Sequence, residues 1–308
     1  MAVVGAGAVG CYFGGMLARA GVPVTLIGRR AHMEAVARDG LLLEGLRVHE
    51  RIPLRTSTEI STARECDLVL LCVKTVDTES AAAALQPYLR AESLVVSLQN
   101  GVDNVDRIRT ATGIAAVPGV VYVAAAMAGP GHVKHSGRGD LILGGRAGCA
   151  PDEKIAALAR MFENAEVPCR VSGRVQEDLW AKMIMNCAFN AISALGRSRY
   201  LPMVRFQPVR DLMQMVITEA VSVAQAEGAQ LSETEMTEAA YQLGEAMAGA
   251  LSSTAQDLNR GKPTEIDSLN GYVVCKGEAL GIPVPVNRTL YALVKLLEQT
   301  QSSQAPGM

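Results

Sequence analysis

Two groups of residues in this chain have types and spacing suited to chemistry. The first is Gly5-Ala6-Gly7-Ala8-Val9-Gly10, which stands between a short apolar run and a segment, 8 to 20, whose apolar residues keep helical spacing. In that context a G-x-G-x-x-G cradles a pyrophosphate. Gly5 permits the tight turn, Gly7 lets the phosphates reach the backbone, and Gly10 lets helix pack on strand. The helix N-terminus adds unpaired N–H groups and the positive end of a dipole. A glycine-rich turn with no ligand is the alternative. At the end of the next apolar run, Val24 to Ile27, an NAD-binding chain would carry a carboxylate for the ribose, but here stand Gly28-Arg29-Arg30. A guanidinium suits a 2′-phosphate through paired charge-assisted hydrogen bonds. NADP (NADPH) is therefore expected over NAD, with Arg29 as the contact and Arg30 better suited to a solvated loop.

The second group lies on the stretch Leu179 to Leu195. It is apolar almost all round, yet Lys182, Asn186 and Asn190 interrupt it at steps of four and so share one helix face. The stretch is too short and too interrupted to span a membrane. Burying an ammonium is costly without a partner. Two readings follow: a wet cleft bearing a polar ligand, or a satisfied core network in which Glu265 pairs with Lys182. In a cleft, Lys182 could protonate the oxygen of a ketone reduced by hydride, its pKa tuned by burial and a neighbouring carboxylate. The asparagines could orient a hydroxylated substrate. Lys74 and Gln99-Asn100-Gly101 end two further apolar runs, on the edge where open α/β sheets bind ligands.

The elements that must position these residues follow from periodicity. Strands are expected at 3–4, 24–27, 68–73, 94–98 and 115–123, with helices at 8–20 and 81–89, an alternation that implies a parallel, doubly wound sheet. After about residue 170 the pattern turns helical, with helices expected at 174–195, 207–227, 232–259 and 264–279 and breaks at Gly196, Pro202, Gly228, Gly261-Lys262-Pro263 and Gly281-Ile282-Pro283. The fold class is α/β: an N-terminal Rossmann-type doubly wound sheet, the NADP-binding domain, over 1–171, and an all-helical C-terminal domain for substrate and catalysis over 172–308. The polar tail from Gln301 to Met308 is expected to fray.

Composition narrows the partners. A net charge of -2 with mixed signs offers no field for nucleic acid or an anionic membrane, so a small molecule is expected. No secretory signal opens the chain and no apolar run is long enough to span a bilayer. The seven cysteines are scattered, as in a cytoplasmic protein. His132 and His135, the only close histidine pair, lack a third ligand nearby, so no metal is expected and a polar strand or loop is the reading there. The Met- and Ala-rich second half could bury a homodimer interface or fill an internal core.

Taken in order, several segments resemble ketopantoate reductase (2-dehydropantoate 2-reductase) from about residue 2 to about residue 298. They are the fingerprint, Leu26-Ile27-Gly28-Arg29, Val73-Lys74, Gln99-Asn100-Gly101, Leu179-Trp180-Ala181-Lys182 with Asn186 and Asn190, Ser252-Ser253 through Gln256-Asp257, and Thr264-Glu265-Ile266-Asp267 before Asn270-Gly271. The resemblance implies reduction of ketopantoate to pantoate with NADPH, on the route to pantothenate and coenzyme A. It implies Lys182 as proton donor and Glu265 as its partner near the nicotinamide ribose. It further implies Asn100 near nicotinamide and substrate, Asn186 and Asn190 on the terminal hydroxyl, Ser253 on the carboxylate, Lys74 and Ala125 lining the cofactor, and Arg29 on the 2′-phosphate. One departure stands out: where some members carry another substrate-binding Asn, this chain reads Gly196-Arg197-Ser198-Arg199-Tyr200-Leu201-Pro202. The alternatives are a paralogue acting on another 2-keto acid, and an NADPH-binding sensor without catalysis.

Overall fold

Short runs of Val, Leu and Ile, too brief for helices and flanked by glycine or polar residues, form strands buried on both faces. The first unit, residues 1–175, contains β1 (Ala2–Val4), α1 (Ala8–Arg19), β2 (Thr25–Ile27), α2 (Arg30–Asp39), β3 (Leu41–Glu44), β4 (His49–Ile52), β5 (Arg55–Ser57), β6 (Leu68–Leu71), α3 (Thr78–Leu85), β7 (Leu94–Ser97), α4 (Asn104–Thr112), β8 (Val117–Gly129), β9 (His132–Leu143), α5 (Glu153–Asn164) and β10 (Cys169–Val171). The computed structural model describes residues 1–46, 48–146 and 149–304.

Six strands form the parallel part of the sheet in the order β5-β2-β1-β6-β7-β8. The chain winds outward from β1 through β2 to β5, then returns to the other side of β1 with β6. The reversal beside β1 is the switch point at which open α/β sheets hold ligands. Side chains alternate along each strand. Val3 joins Phe13, Leu17, Leu26 and Leu70 in the core that includes α1 and α5, whereas Ala2 and Val4 join Leu85 and Ile108 beneath α3 and α4. Phe13 and Phe162 meet edge to face with centroids 5.9 Å apart, fixing α1 against α5.

The sheet is longer than the sequence suggests. β8 runs on to Gly129 and turns back antiparallel into β9, which also pairs with β3 and β10. His132 and His135 thus lie on a strand: His132 Nε2 is 2.7 Å from Glu44 Oε2, and the His135 ring packs on Tyr12 at 4.4 Å.

The second unit, from residue 176, is helical among its described residues: α6 (Val175–Gly196, whose first residue closes the first unit), α7 (Tyr200–Arg205), α8 (Gln207–Ala226), α9 (Glu233–Ala246), α10 (Ser253–Asn259), α11 (Asn270–Leu280) and α12 (Pro285–Gln304). Four expectations need correction. The helix expected over 232–259 is two helices: α9 ends at Ala246 with Met247 as its C-cap, and Ser252, whose Oγ accepts the Ala255 N–H, is the N-cap that restarts the chain as α10. The helix expected over 264–279 is a 3-10 turn, Ile266–Ser268, followed by α11, with Leu269 outside helical geometry between them. The Gly196 to Pro202 break is partly helical, since Pro202 falls in the first turn of α7, where its missing N–H is harmless. Gln301 to Gln304, expected to fray, continue α12; residues 305–308 lie outside the described residues.

A polar knot joins four of these helices. The Asn270 amide donates to the Cys187 carbonyl (3.3 Å) and to Asn287 Oδ1 (2.9 Å), and the Asn287 amide donates to Glu219 Oε2 (2.8 Å) and to the Val216 carbonyl (3.2 Å). Glu219 also accepts the backbone N–H groups of Val286 and Asn287, each at 2.9 Å, and so caps α12 from α8.

Candidate active site

The carboxyl ends of β1, β2, β6 and β7 come level. Gly5 N–H donates to the Ile27 carbonyl (3.0 Å), Cys72 N–H to Val4 (2.7 Å) and Leu98 N–H to Leu71 (2.9 Å). Gly5 has φ +99°, and a Cβ on it would lie 2.6 Å from the Val73 nitrogen. A Cβ on Gly10 would lie 2.3 Å from the Gly5 carbonyl oxygen, so the loop and helix close on each other through two glycines. Gly7 behaves differently. It is the N-cap of α1 without a side-chain cap, and a Cβ built on it meets nothing within 4 Å. The first N–H groups of α1, on Ala8, Val9 and Gly10, have no partner within their own helix. A bare helix start facing open space fits the pyrophosphate of a dinucleotide.

Gly28 brings β2 to this loop: a Cβ there would lie 2.8 Å from that of Ala6, and its N–H donates to the Ser57 carbonyl (3.1 Å). Arg29 follows as the N-cap of α2; it is exposed, and its guanidinium has no hydrogen bond or ion pair among the described residues. Two arginines at one strand end with no internal partner fit a phosphate monoester.

Asn100 is held through its backbone. Its carbonyl accepts the Thr75 hydroxyl (2.8 Å) and the Asn104 amide (2.7 Å). Asn104 Oδ1 is 3.0 Å from the Thr78 hydroxyl, which accepts the Gln99 amide at 2.7 Å, while Gln99 Oε1 accepts from Ser97 at 2.9 Å. Thr75, Thr78, Ser97, Gln99 and Asn104 are all buried. Lys74 leads into this network as the N-cap of the 3-10 turn Thr75–Asp77, and Ala125 lies on β8 opposite His135, beside a register irregularity.

A brace the sequence did not reveal backs the loop. The Gly131 N–H donates to His32 Nδ1 (2.7 Å), so His32 Nε2 carries the proton of the neutral ring and faces Cys11 Sγ at 3.2 Å; the Cys11 thiol lies 3.4 Å from the Ala6 carbonyl. Burial lowers the His32 pKa and pushes that of Cys11 up to about 12, so both stay uncharged. The two contacts of His32 link residues far apart in sequence, and dispersed histidines give no periodic signal for them.

In the second unit, α6 carries Lys182 and Asn186 half-buried and Asn190 buried, among buried Trp180, Met183, Ile184 and Cys187. The Asn190 amide donates to Ser253 Oγ (3.2 Å), and the Ser252 hydroxyl donates to the Asn190 carbonyl (3.1 Å). Asn190 and Ser253 are thus brought together by the start of α10. Glu265 is half-buried and precedes the 3-10 turn; next to it, Thr264 N–H donates to Glu298 Oε1 at 2.7 Å. The Phe189–Tyr200 ring pair, centroids 4.2 Å apart, went unnoticed in the sequence.

A parallel sheet in dinucleotide-binding order, a bare helix start at its switch point and a lysine with two asparagines along one helix define a nucleotide-dependent oxidoreductase. The chain belongs to the ketopantoate reductase family: residues 1–148 match ketopantoate reductase PanE/ApbA and residues 174–298 match its C-terminal part. It is 35% identical over 300 residues to the 2-dehydropantoate 2-reductase of Halobacterium salinarum, covering 96% of this chain and 98% of that one. The crystal structure of a PanE/ApbA family ketopantoate reductase from Ralstonia eutropha is 48% identical with TM-score 0.91, over 98% of this chain and 100% of that one. A D-mandelate dehydrogenase in complex with NADH is 25% identical with TM-score 0.87, over 97% of this chain and 98% of that one. The family uses NADPH.

Proposed function

We propose that this protein reduces 2-dehydropantoate (ketopantoate) to pantoate with NADPH, in the supply of pantothenate and coenzyme A. The observation that carries this reading is the polar face of α6, where Asn190 is hydrogen-bonded to Ser253 on the helix that bears Lys182. Bound NADPH supplies the hydride that adds to C2.

As C2 gains the hydride its oxygen gains negative charge, and Lys182 gives that oxygen a proton. The lysine, neutral after the transfer, regains a proton from solvent, and Glu265 is the partner of the restored ammonium. Ser253 receives the substrate carboxylate, and Asn186 and Asn190 bind the terminal hydroxyl, so the carbonyl is turned toward the lysine. Asn100 orients the carboxamide end of the cofactor, with its backbone already fixed by Thr75 and Asn104. Lys74 and Ala125 line the cofactor, and Arg29 takes the 2′-phosphate. In this reading the protein works in the reducing cytoplasm, in keeping with seven cysteines that are all free thiols.

A second reading, another 2-keto acid as substrate, is favoured by the likeness to D-mandelate dehydrogenase. The test is oxidation of NADPH and NADH, followed over a panel of 2-keto acids. Ketopantoate with NADPH is expected to give the highest kcat/KM; a far higher value for another acid transfers the assignment to the second reading.

A further inference from the structure

Resting on the reductase reading above, we infer that Tyr200 is a specificity-determining residue: its ring walls the site against the carbon next to the keto group, selecting 2-keto acids with a bulky, fully branched substituent.

The turn after α6 delivers this side chain by a fixed route. Arg197 takes up the left-handed conformation at φ +49°, Ser198 N–H donates to the Ser193 carbonyl (3.1 Å), and the Ser193 hydroxyl donates to the Ser198 carbonyl (2.7 Å). A helix normally makes this closure with glycine, so the chain accepts local strain to turn here. The run that follows is laid along the segment before α10. Tyr200 N–H donates to the Ala250 carbonyl (3.1 Å), Leu201 N–H to Ala248 (3.3 Å), and the Arg199 guanidinium to the Gly249 carbonyl. That segment leads directly into Ser252, whose N–H donates to Ser193 Oγ (3.3 Å) and whose hydroxyl donates to the Asn190 carbonyl. Tyr200 is therefore tied to the Asn190–Ser253 pair through α6 on one side and through residues 248–252 on the other.

The ring is held by stacking and by backbone bonds. It leans on Phe189, itself fully enclosed, at 4.2 Å and 31°. Burial pushes the phenol up to about 12, so it stays neutral, and its hydroxyl has no hydrogen bond among the described residues. An aromatic ring stacked on Phe189, the neighbour in sequence of Asn190 and its bond to Ser253, offers an apolar face that rewards contact with carbon. One methyl group more or less in such a pocket changes selectivity by roughly tenfold or more. Ketopantoate carries two methyl groups on that carbon, and its hydroxyl is bound separately in the reading above.

Trimethylpyruvate isolates the wall, because it keeps the fully branched carbon and lacks the hydroxyl. The measurement is kcat and KM with NADPH for ketopantoate, trimethylpyruvate and pyruvate in the wild type, Tyr200→Ala, Tyr200→Asn and Tyr200→Phe, each with its melting temperature. The preference for trimethylpyruvate over pyruvate is expected to fall at least about tenfold in Tyr200→Ala and Tyr200→Asn, chiefly through KM, and to survive in Tyr200→Phe. An unchanged preference in either folded variant overturns the inference while leaving the wild-type activity, and so the reductase reading, intact. If Tyr200→Ala does not fold, Tyr200→Asn decides. Absence of turnover with all three acids in the wild type overturns the reductase reading and the inference with it.

Discussion

At the scale of single residues, the proposed chemistry concentrates on Lys182 and Arg29. Removing a general acid lowers turnover by about a hundredfold to ten-thousandfold. Lys182→Ala is accordingly expected to lose that much kcat with ketopantoate while NADPH affinity, measured by fluorescence titration, stays within about twofold of the wild type. Arg29→Ala is expected to raise KM for NADPH at least tenfold and to leave KM for NADH nearly unchanged, since only the former carries the 2′-phosphate. Equal effects on both cofactors would remove Arg29 from phosphate recognition. Gly5 and Gly10 were legible in the sequence because each owes its place to the side chain it lacks, Gly5 in the turn after β1 and Gly10 in the first turn of α1. The Asn190–Ser253 bond was not, since it joins positions 63 apart and depends on where α10 begins.

At the scale of elements, two devices can be tested by stability. Glu219→Ala strips α12 of its cap, leaving two backbone N–H groups without an acceptor and the Asn287 amide with the Val216 carbonyl alone. A loss of about 2–4 kcal/mol in urea unfolding is expected, and a smaller one for Glu219→Gln, which keeps an acceptor oxygen. The His32 brace predicts a pH dependence. Its folded-state pKa lies below the ordinary 6.5 because burial disfavours the charged ring, so below that value the unfolded chain binds the proton more readily. Its contribution is complete above about pH 6.5 and is lost as pH falls through the folded value. The urea midpoint should drop between about pH 7.5 and pH 5.5, and drop less in His32→Asn; an equal drop would place the sensitivity elsewhere.

Elements with an unbroken apolar period were readable in advance: α1, α6, α8 and the strands β1, β2, β6 and β7. Those defined by partners were not. β4 is mostly exposed and exists because β3 pairs with it, and after α9 ends at Ala246 the position where helix resumes is set by one serine hydroxyl, Ser252, acting as a cap.

At the scale of the whole molecule, the alternation of strands and helices followed by helices alone was plain in the sequence, but the extent of the sheet was not. The return of β8 into β9 is set by pairing with β3 and β10, and the strand reading of 115–123 stops short of it. Two units also give two reporters. The single tryptophan, Trp180, lies in the second unit with no exposed surface, so its emission should be blue-shifted in the folded chain and should move red as that unit unfolds. Followed by far-UV circular dichroism, NADPH at a hundredfold excess over Kd should raise the melting temperature by the equivalent of about 2.7 kcal/mol, and Arg29→Ala at the same NADPH concentration should lose at least about half of that shift. A shift of the same size in the variant would contradict the assignment of Arg29.

The contrast between the glycine interlock and Arg29 has an evolutionary consequence. Gly5 and Gly10 admit no side chain without displacing backbone, so drift at either position is closed off by the fold itself. The Arg29 side chain has no hydrogen bond or ion pair among the described residues, so a change of side chain there leaves the folded state almost as it was. On the proposed reading, a change at Arg29 loosens the hold on the 2′-phosphate without disturbing the fold, while the glycine loop stays frozen.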